Sequence, residues 1–279
     1  MEKHDFWSDM ALDNLENNRM ESVASHKKMS YGVVESVVNL KNKSLADRVG
    51  KPQGVYITYD VRGADDCRYA PYLSKVMSST LRRLIGGISQ GAVVLAVGLG
   101  NGQVLADSLG SAVTSKINPT RKDYSVSKYN LCTHSLGVQG VTGIKSHEVL
   151  SALVDKLKPS AIVIVDSLAT ASADRLGTSF QISTAGIVPG GGIRGGASPM
   201  NKAVYGVPTV SIGVPLVLTM QGVIKDVIKC YGEIDEFRLQ SLLADKKLSG
   251  LVVAPKEVKI YLENASNIIA DAVNLAYSV

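Results

Sequence analysis

A chain of 279 residues, 45% of them hydrophobic, is long enough to bury one large core, and its ordinary charged fraction of 20% excludes a disordered polyelectrolyte. A net charge of +5 permits an acidic partner without demanding one, and aromatics at 5% leave few platforms for stacking bases, so no nucleic-acid partner is expected. Cys67, Cys132 and Cys230 are far apart with no CxxC pair, the usage of a reduced cytoplasmic protein, and neither a secretory signal nor an apolar run fit to span a bilayer is expected.

Residues 1–50 are polar apart from a short stripe at Val33, Val34, Val37 and Val38, and read as an N-terminal region that is mobile, partly helical or pro-segment-like. A single α/β domain is expected over 51–279. It opens with QGVYITYD (53–60), which alternates like a strand. Residues 71–85 space their apolar side chains like a helix, with Pro71 at the start and Gly86-Gly87 past the end. AVVLAVGLG (92–100) is a continuous aliphatic run that meets glycines, as a buried parallel strand does, and a helix over about 105–116 should follow. Residues 117–140 read as a long excursion with Ser, Thr and Tyr. A helix over 146–157 leads to a second buried strand, AIVIVDSL (161–168). SFQIST (179–184) and PTVSIGVP (208–215) are further strands, separated by a glycine-rich loop, and the chain closes on a long amphipathic helix over 255–277. The alternation predicts an α/β layered sheet, mostly parallel, with helices on both faces.

Two acids occupy equivalent places in this pattern. Asp166 ends the aliphatic run AIVIV, and Asp107 follows the strand AVVLAV beyond the turn GLGNG, at the start of the next helix. Ligands of open α/β sheets sit outside the carboxyl ends of the strands, so both carboxylates should face one edge. Two carboxylates that share a water divide acid and base roles, because repulsion raises the pKa of one. An aspartate at a helix N-terminus also serves as a plain cap or dipole partner. The turn bearing Gly98, Gly100 and Asn101 lacks the third glycine of a dinucleotide fingerprint, since Gln103 stands there, and reads better as a tight backbone crossing beside an active site. Gly140, Thr142 and Gly143 form a similar glycine-spaced turn. The loop bearing Gly186, Gly190 and Gly192 can approach a substrate backbone, with free N–H groups available to an oxyanion. No GxSxG elbow and no HExxH pair occurs, and no cofactor or metal is expected. His134 is the one histidine that could join the two aspartates around a transition metal.

These pieces occur in an order that resembles the spore germination protease family. VGLGNGQVLADSLGS (97–111) is similar to its GLGN and DALG-type segment, and GVQGVTGI (137–144) to its GVMGxTGI turn. IVDSLATASADRLGTSFQISTAGIVPGGG (164–192) follows its IDALA block, GVPTVSIGVPLVL (206–218) its GVPVIAIGVPTVV stretch, and LSGLVVAPKEV (248–258) its closing region. The resemblance covers 50–279. It implies an α/β fold related to the hydrogenase maturation proteases, an endopeptidase that degrades small acid-soluble spore proteins, and a homo-oligomer in the cytoplasm of the forespore or spore core. It also implies a zymogen that loses a short N-terminal piece. The family's two catalytic aspartates fall on Asp107 and Asp166. The family's Asp-Thr-Gly triplet is Thr184-Ala185-Gly186 here, and its N-terminal RTDLAxEA signature is not recognisable in 1–50. A metal-assisted maturation protease and a non-catalytic paralogue that binds a spore protein are the competing readings.

Overall fold

The computed structural model describes residues 8–64, 68–121, 127–189, 198–231, 248 and 250–278. In chain order the elements are α1 (Ala11–Asn17), β1 (Ala24–Lys28), β2 (Val34–Leu40), α2 (Lys43–Val49), β3 (Gly54–Asp60), α3 (Tyr69–Ile85), β4 (Val93–Leu99), α4 (Leu109–Lys116), β5 (Asn130–Gly137), α5 (Gln139–Thr142) and α6 (Ser146–Leu157). They continue with β6 (Ala161–Thr170), β7 (Ser179–Ser183), α7 (Lys202–Tyr205), β8 (Thr209–Thr219), α8 (Met220–Tyr231), β9 (Val252–Val253) and α9 (Val258–Tyr277).

Among the described residues the strands form one sheet in the order β1-β2-β3-β7-β8-β6-β4-β5, with β9 added to the end of β8. The half that carries the two acids, β8-β6-β4-β5, is parallel. The other half, β1-β2-β3-β7, is antiparallel and joins it through an antiparallel β7–β8 pair. Helices cover both faces, as the sequence pattern predicts. Alternate residues of each central strand enter different cores, as the two-residue period of a strand requires. Val94, Ala96, Val163 and Val165 pack with α3, α4 and α9. Leu95, Val97, Ile162 and Ile164 pack on the opposite face with Leu150 of α6. Under α1 and α2 that same face continues as a third cluster around Leu15, Val38, Val49 and Tyr56.

The helices follow from their spacing. Leu73, Met77, Leu81 and Ile85 recur every four residues along α3 and are all buried, and Gly86 in a positive-φ conformation (φ 83°) stops the helix. Among the segments that depart from the sequence expectation are these. Residues 24–40 hold β1 and β2, and β1 (ASHKK) is nearly all exposed, so no alternation marks it. β5 lies inside the stretch read as an excursion. It is the outer strand of the parallel half and buries few of its side chains, so its sequence lacks an aliphatic run. β6 runs on to Thr170, two residues past the 161–168 expected from the sequence, because β8 continues to pair with it as far as Leu218.

The approach of β4 to α4 leaves no room for a side chain. A Cβ on Gly98 would collide with the backbone of Gly110, and one on Gly110 with the backbone of Leu99. Gly98→Ala should therefore force strand and helix apart and lower stability by about 1–3 kcal/mol in urea unfolding. Gly87→Ala, where an added methyl meets nothing within 4 Å, should stay within about 0.5 kcal/mol of the parent.

Candidate active site

The last pairing between β4 and β6 joins Gly98 to Val165. From Asp166 onward β6 has β8 on one side and no β4 on the other, so Asp166 is the first residue of β6 beyond its shorter neighbour. The chain leaving β4 turns sharply at Gly100 (φ 96°), where a Cβ would stand 2.9 Å from Asp107 Oδ1. Asn101 N–H donates to Asp107 Oδ2 at 2.8 Å, and Asn101 Oδ1 accepts from Gln103 N–H at 3.0 Å. A short 3₁₀ turn over Leu105–Asp107 leads into α4, whose first amide, Leu109 N–H, donates to Ser167 Oγ at 3.3 Å. Ser167 thereby ties the start of α4 to β6, and Asp107 is carried to the side of Asp166.

The electrostatics of the two acids differ. Burial holds the Asp166 carboxyl well above the ordinary carboxylate range, and the charges of Asp107 and then Asp9 push it the same way. The Ser167 N–H, 2.9 Å from Asp166 Oδ1, pulls weakly against them. Burial also raises Asp107, offset by the bond from Asn101. Asp107 therefore ionises first, and Asp166 keeps its proton against existing negative charge.

Asp9 arrives from the other end of the chain. Residues 8–11 cross the sheet where the register sets Gln181 of β7, Gly213 of β8 and Asp166 of β6 in one row. The Gln181 carboxamide holds the crossing, donating to Asp9 O at 3.1 Å and accepting from Ala11 N–H at 2.8 Å. On β6, Ala169 O accepts from Asp9 N–H at 2.9 Å, and Ala169 N–H donates to Asp9 Oδ2 at 2.9 Å. Behind it lies a buried anchor. Asp13 Oδ2 accepts from Ser8 Oγ (2.6 Å), Thr170 Oγ1 (2.7 Å) and Ala171 N–H (2.7 Å). Asp13 Oδ1 faces Arg175 Nε at 2.9 Å, with side chains only 1% and 5% exposed, and Arg175 also pairs with Glu16.

The remaining candidates from the sequence scatter. Gly98, Gly100 and Asn101 form the turn that holds Asp107. Gly140, Thr142 and Gly143 lie just past the end of β5, on the same edge of the sheet, and Thr142 Oγ1 spends its bonds within its own turn. Gly186 follows β7, which runs against β8, so it sits at the opposite edge beside Met200 and Asn201. Gly190 and Gly192 lie outside the described residues, as does Cys67. His134 is exposed on β5, opposite Val97 of β4, which stands between it and β6. Among the described residues no group of three His, Cys, Asp or Glu is arranged to hold a metal. Asp9, Asp13, Lys51, Arg175 and Gln181 were not singled out from the sequence, and no periodicity or spacing marks them, because each is a solitary polar residue whose partner is distant in the chain.

The sequence profile of a family described as germination protease matches residues 1–237. The chain belongs to the germination protease family. Germination protease from Clostridium tetani is 32% identical over 269 aligned positions, covering 86% of this chain and 83% of that protein. The namesake from Caldanaerobacter subterraneus is 29% identical over 302 positions and covers 96% and 93% of the two chains. Membership makes the chain one of a family of peptidases of spore germination. Among solved structures, a [NiFe] hydrogenase maturation protease HycI from Thermococcus kodakarensis aligns over 70% of this chain and 99% of its own, at 18% identity and a TM-score of 0.39, too loose a likeness to bear on the site. No helix among the described residues is long and apolar enough to cross a membrane.

Truncating Arg175 would leave the Asp13 charge buried without its partner. Arg175→Ala should cost about 3–5 kcal/mol of stability in chemical denaturation. Asp174→Ala, whose side chain is 76% exposed and only 3.3 Å at best from Arg62, should change it by less than about 0.5 kcal/mol.

Proposed function

We propose that the chain is an endopeptidase that hydrolyses small acid-soluble spore proteins during germination, in the cytoplasm of the forespore or spore core, with Asp107 and Asp166 as an aspartate dyad. The observation that carries this reading is the meeting of two carboxyls where β6 outlasts β4: burial raises both, and the charge of Asp107 raises Asp166 further. Unequal affinity is what acid–base division requires. Ionised Asp107 takes a proton from water as the water oxygen bonds to the scissile carbonyl carbon. Protonated Asp166 then delivers its proton to the leaving amine as the C–N bond breaks. The turn of Gly98, Gly100 and Asn101 and the turn of Gly140, Thr142 and Gly143 flank the dyad on the same edge and would border an extended substrate. A basic chain of net charge +5 suits acidic substrates.

Digestion of purified small acid-soluble spore proteins tests the reading, with full-length and N-terminally trimmed protein, with and without a chelator. Cleavage should be indifferent to chelator and should fall by about 10²–10⁴-fold in Asp166→Asn and in Asp107→Asn. Undiminished cleavage by either variant would sink the dyad. Loss of cleavage on chelation that returns with added metal would favour a metal-assisted protease. No cleavage by any folded form would favour a paralogue that only binds.

A further inference from the structure

The step at the end of β4 leaves part of β6 without a neighbour. Pairing between the two strands ends at Gly98 and Val165, while β6 runs on to Thr170 with β8 on its other side. The amides just beyond that last pair do not continue the ladder: Asn101 N–H goes to Asp107 Oδ2 and Ser167 N–H to Asp166 Oδ1. Main-chain groups of successive strand residues face opposite neighbours. Ile162 N–H donates to Pro208 O, at the start of β8, at 2.9 Å. Ser167 and Ala169 therefore face the side that β4 has vacated. The bonds of Ala169 agree, since its O accepts from Asp9 N–H and its N–H donates to Asp9 Oδ2, both at 2.9 Å. A peptide segment can thus hydrogen-bond to this edge, and the edge begins at the residue after Asp166.

We propose that the open edge of β6 from Ser167 to Ala169 is the docking strand for substrate: an extended segment of the protein to be cut pairs its main chain there, beside Asp166. The proposal rests on the dyad reading and gives that reading its substrate class, an extended and locally unfolded polypeptide recognised through its main chain. Asp9 gives up its two bonds to Ala169 when substrate enters. Pairing with a strand edge has a period of two, so alternate substrate residues turn N–H and C=O toward β6 and those between turn them away. A segment held in a helix has spent its N–H groups internally and cannot pair in this way.

Binding is measured on full-length Asp166→Asn protein, so that the probe stays whole, with peptides that tile a small acid-soluble spore protein. The tightest-binding peptide is then N-methylated at one residue at a time. Methylation should weaken binding by about tenfold at alternate residues of the paired segment and by less than about twofold at the residues between. In protein labelled with nitrogen-15 alanine, the Ala169 amide resonance, assigned by Ala169→Gly, should move on peptide binding. That of Ala24 on β1, the outer strand at the far side of the sheet, should stay in place. The proposal is overturned by losses at consecutive residues, by no loss at any residue, by a folded protein that binds none of the peptides, or by an Ala169 resonance that does not move. Failure of the dyad reading looks different. Asp166→Asn would then cut the unmodified peptide as fast as the parent protein does, and the alternation would be read in kcat/KM instead.

Discussion

The candidate site depends on one close approach, that of the end of β4 to the start of α4. Gly98 and Gly110 meet backbone to backbone there, and no other residue fits at either position without moving an element. The approach lets the chain reverse at Gly100, close the Asn101–Asp107 bond and present the first amide of α4 to Ser167. β4 stops pairing at Val165, so Asp166 emerges where β6 outlasts its neighbour. Asp107 and Asp166 are thus brought together by main-chain geometry rather than by attraction, which is needed if two carboxyls are to be held close against their mutual repulsion.

The cost of that arrangement falls on proton affinity. A buried carboxyl resists ionisation, and one near a second carboxylate resists more strongly. The N-terminal crossing adds a third acid in the same region, with Gln181 and Ala169 fixing its backbone. The buried Asp13–Arg175 pair that secures it need not raise net stability, because desolvation offsets most of what the pair gains. Its hydrogen bonds to Ser8, Thr170 and Ala171 give it a geometric task, holding the first helix at the end of β6.

The parts of the fold legible in the sequence are those where burial imposes a period. β4 and β6 lie in the middle of the sheet and α3, α6 and α9 pack on its faces, so their aliphatic residues recur as the two cores demand. β1 and β5 escaped because they are outer strands with few buried side chains, and β2 because its neighbours in sequence are polar. The pairing of Asp107 with Asp166 was legible because parallel strands end on one edge. The position of Gly186 was not, because the direction of β7 decides the edge to which the chain returns, and no local pattern carries strand direction. Asp9, Lys51 and Gln181 were invisible for a different reason: their bonds join residues more than forty apart, and a solitary polar residue leaves no periodic trace.

The central claim is that Asp166 keeps its proton under conditions in which ordinary aspartates have lost theirs. Carboxyl carbon-13 NMR of aspartate-labelled protein, with Asp166→Asn used to assign the resonance, measures this without reference to any substrate. The account predicts that Asp166 titrates well above the usual value of about 4, in a curve broadened by coupling to Asp107. An Asp166 resonance that titrates at the usual carboxylate value of about 4 would contradict it.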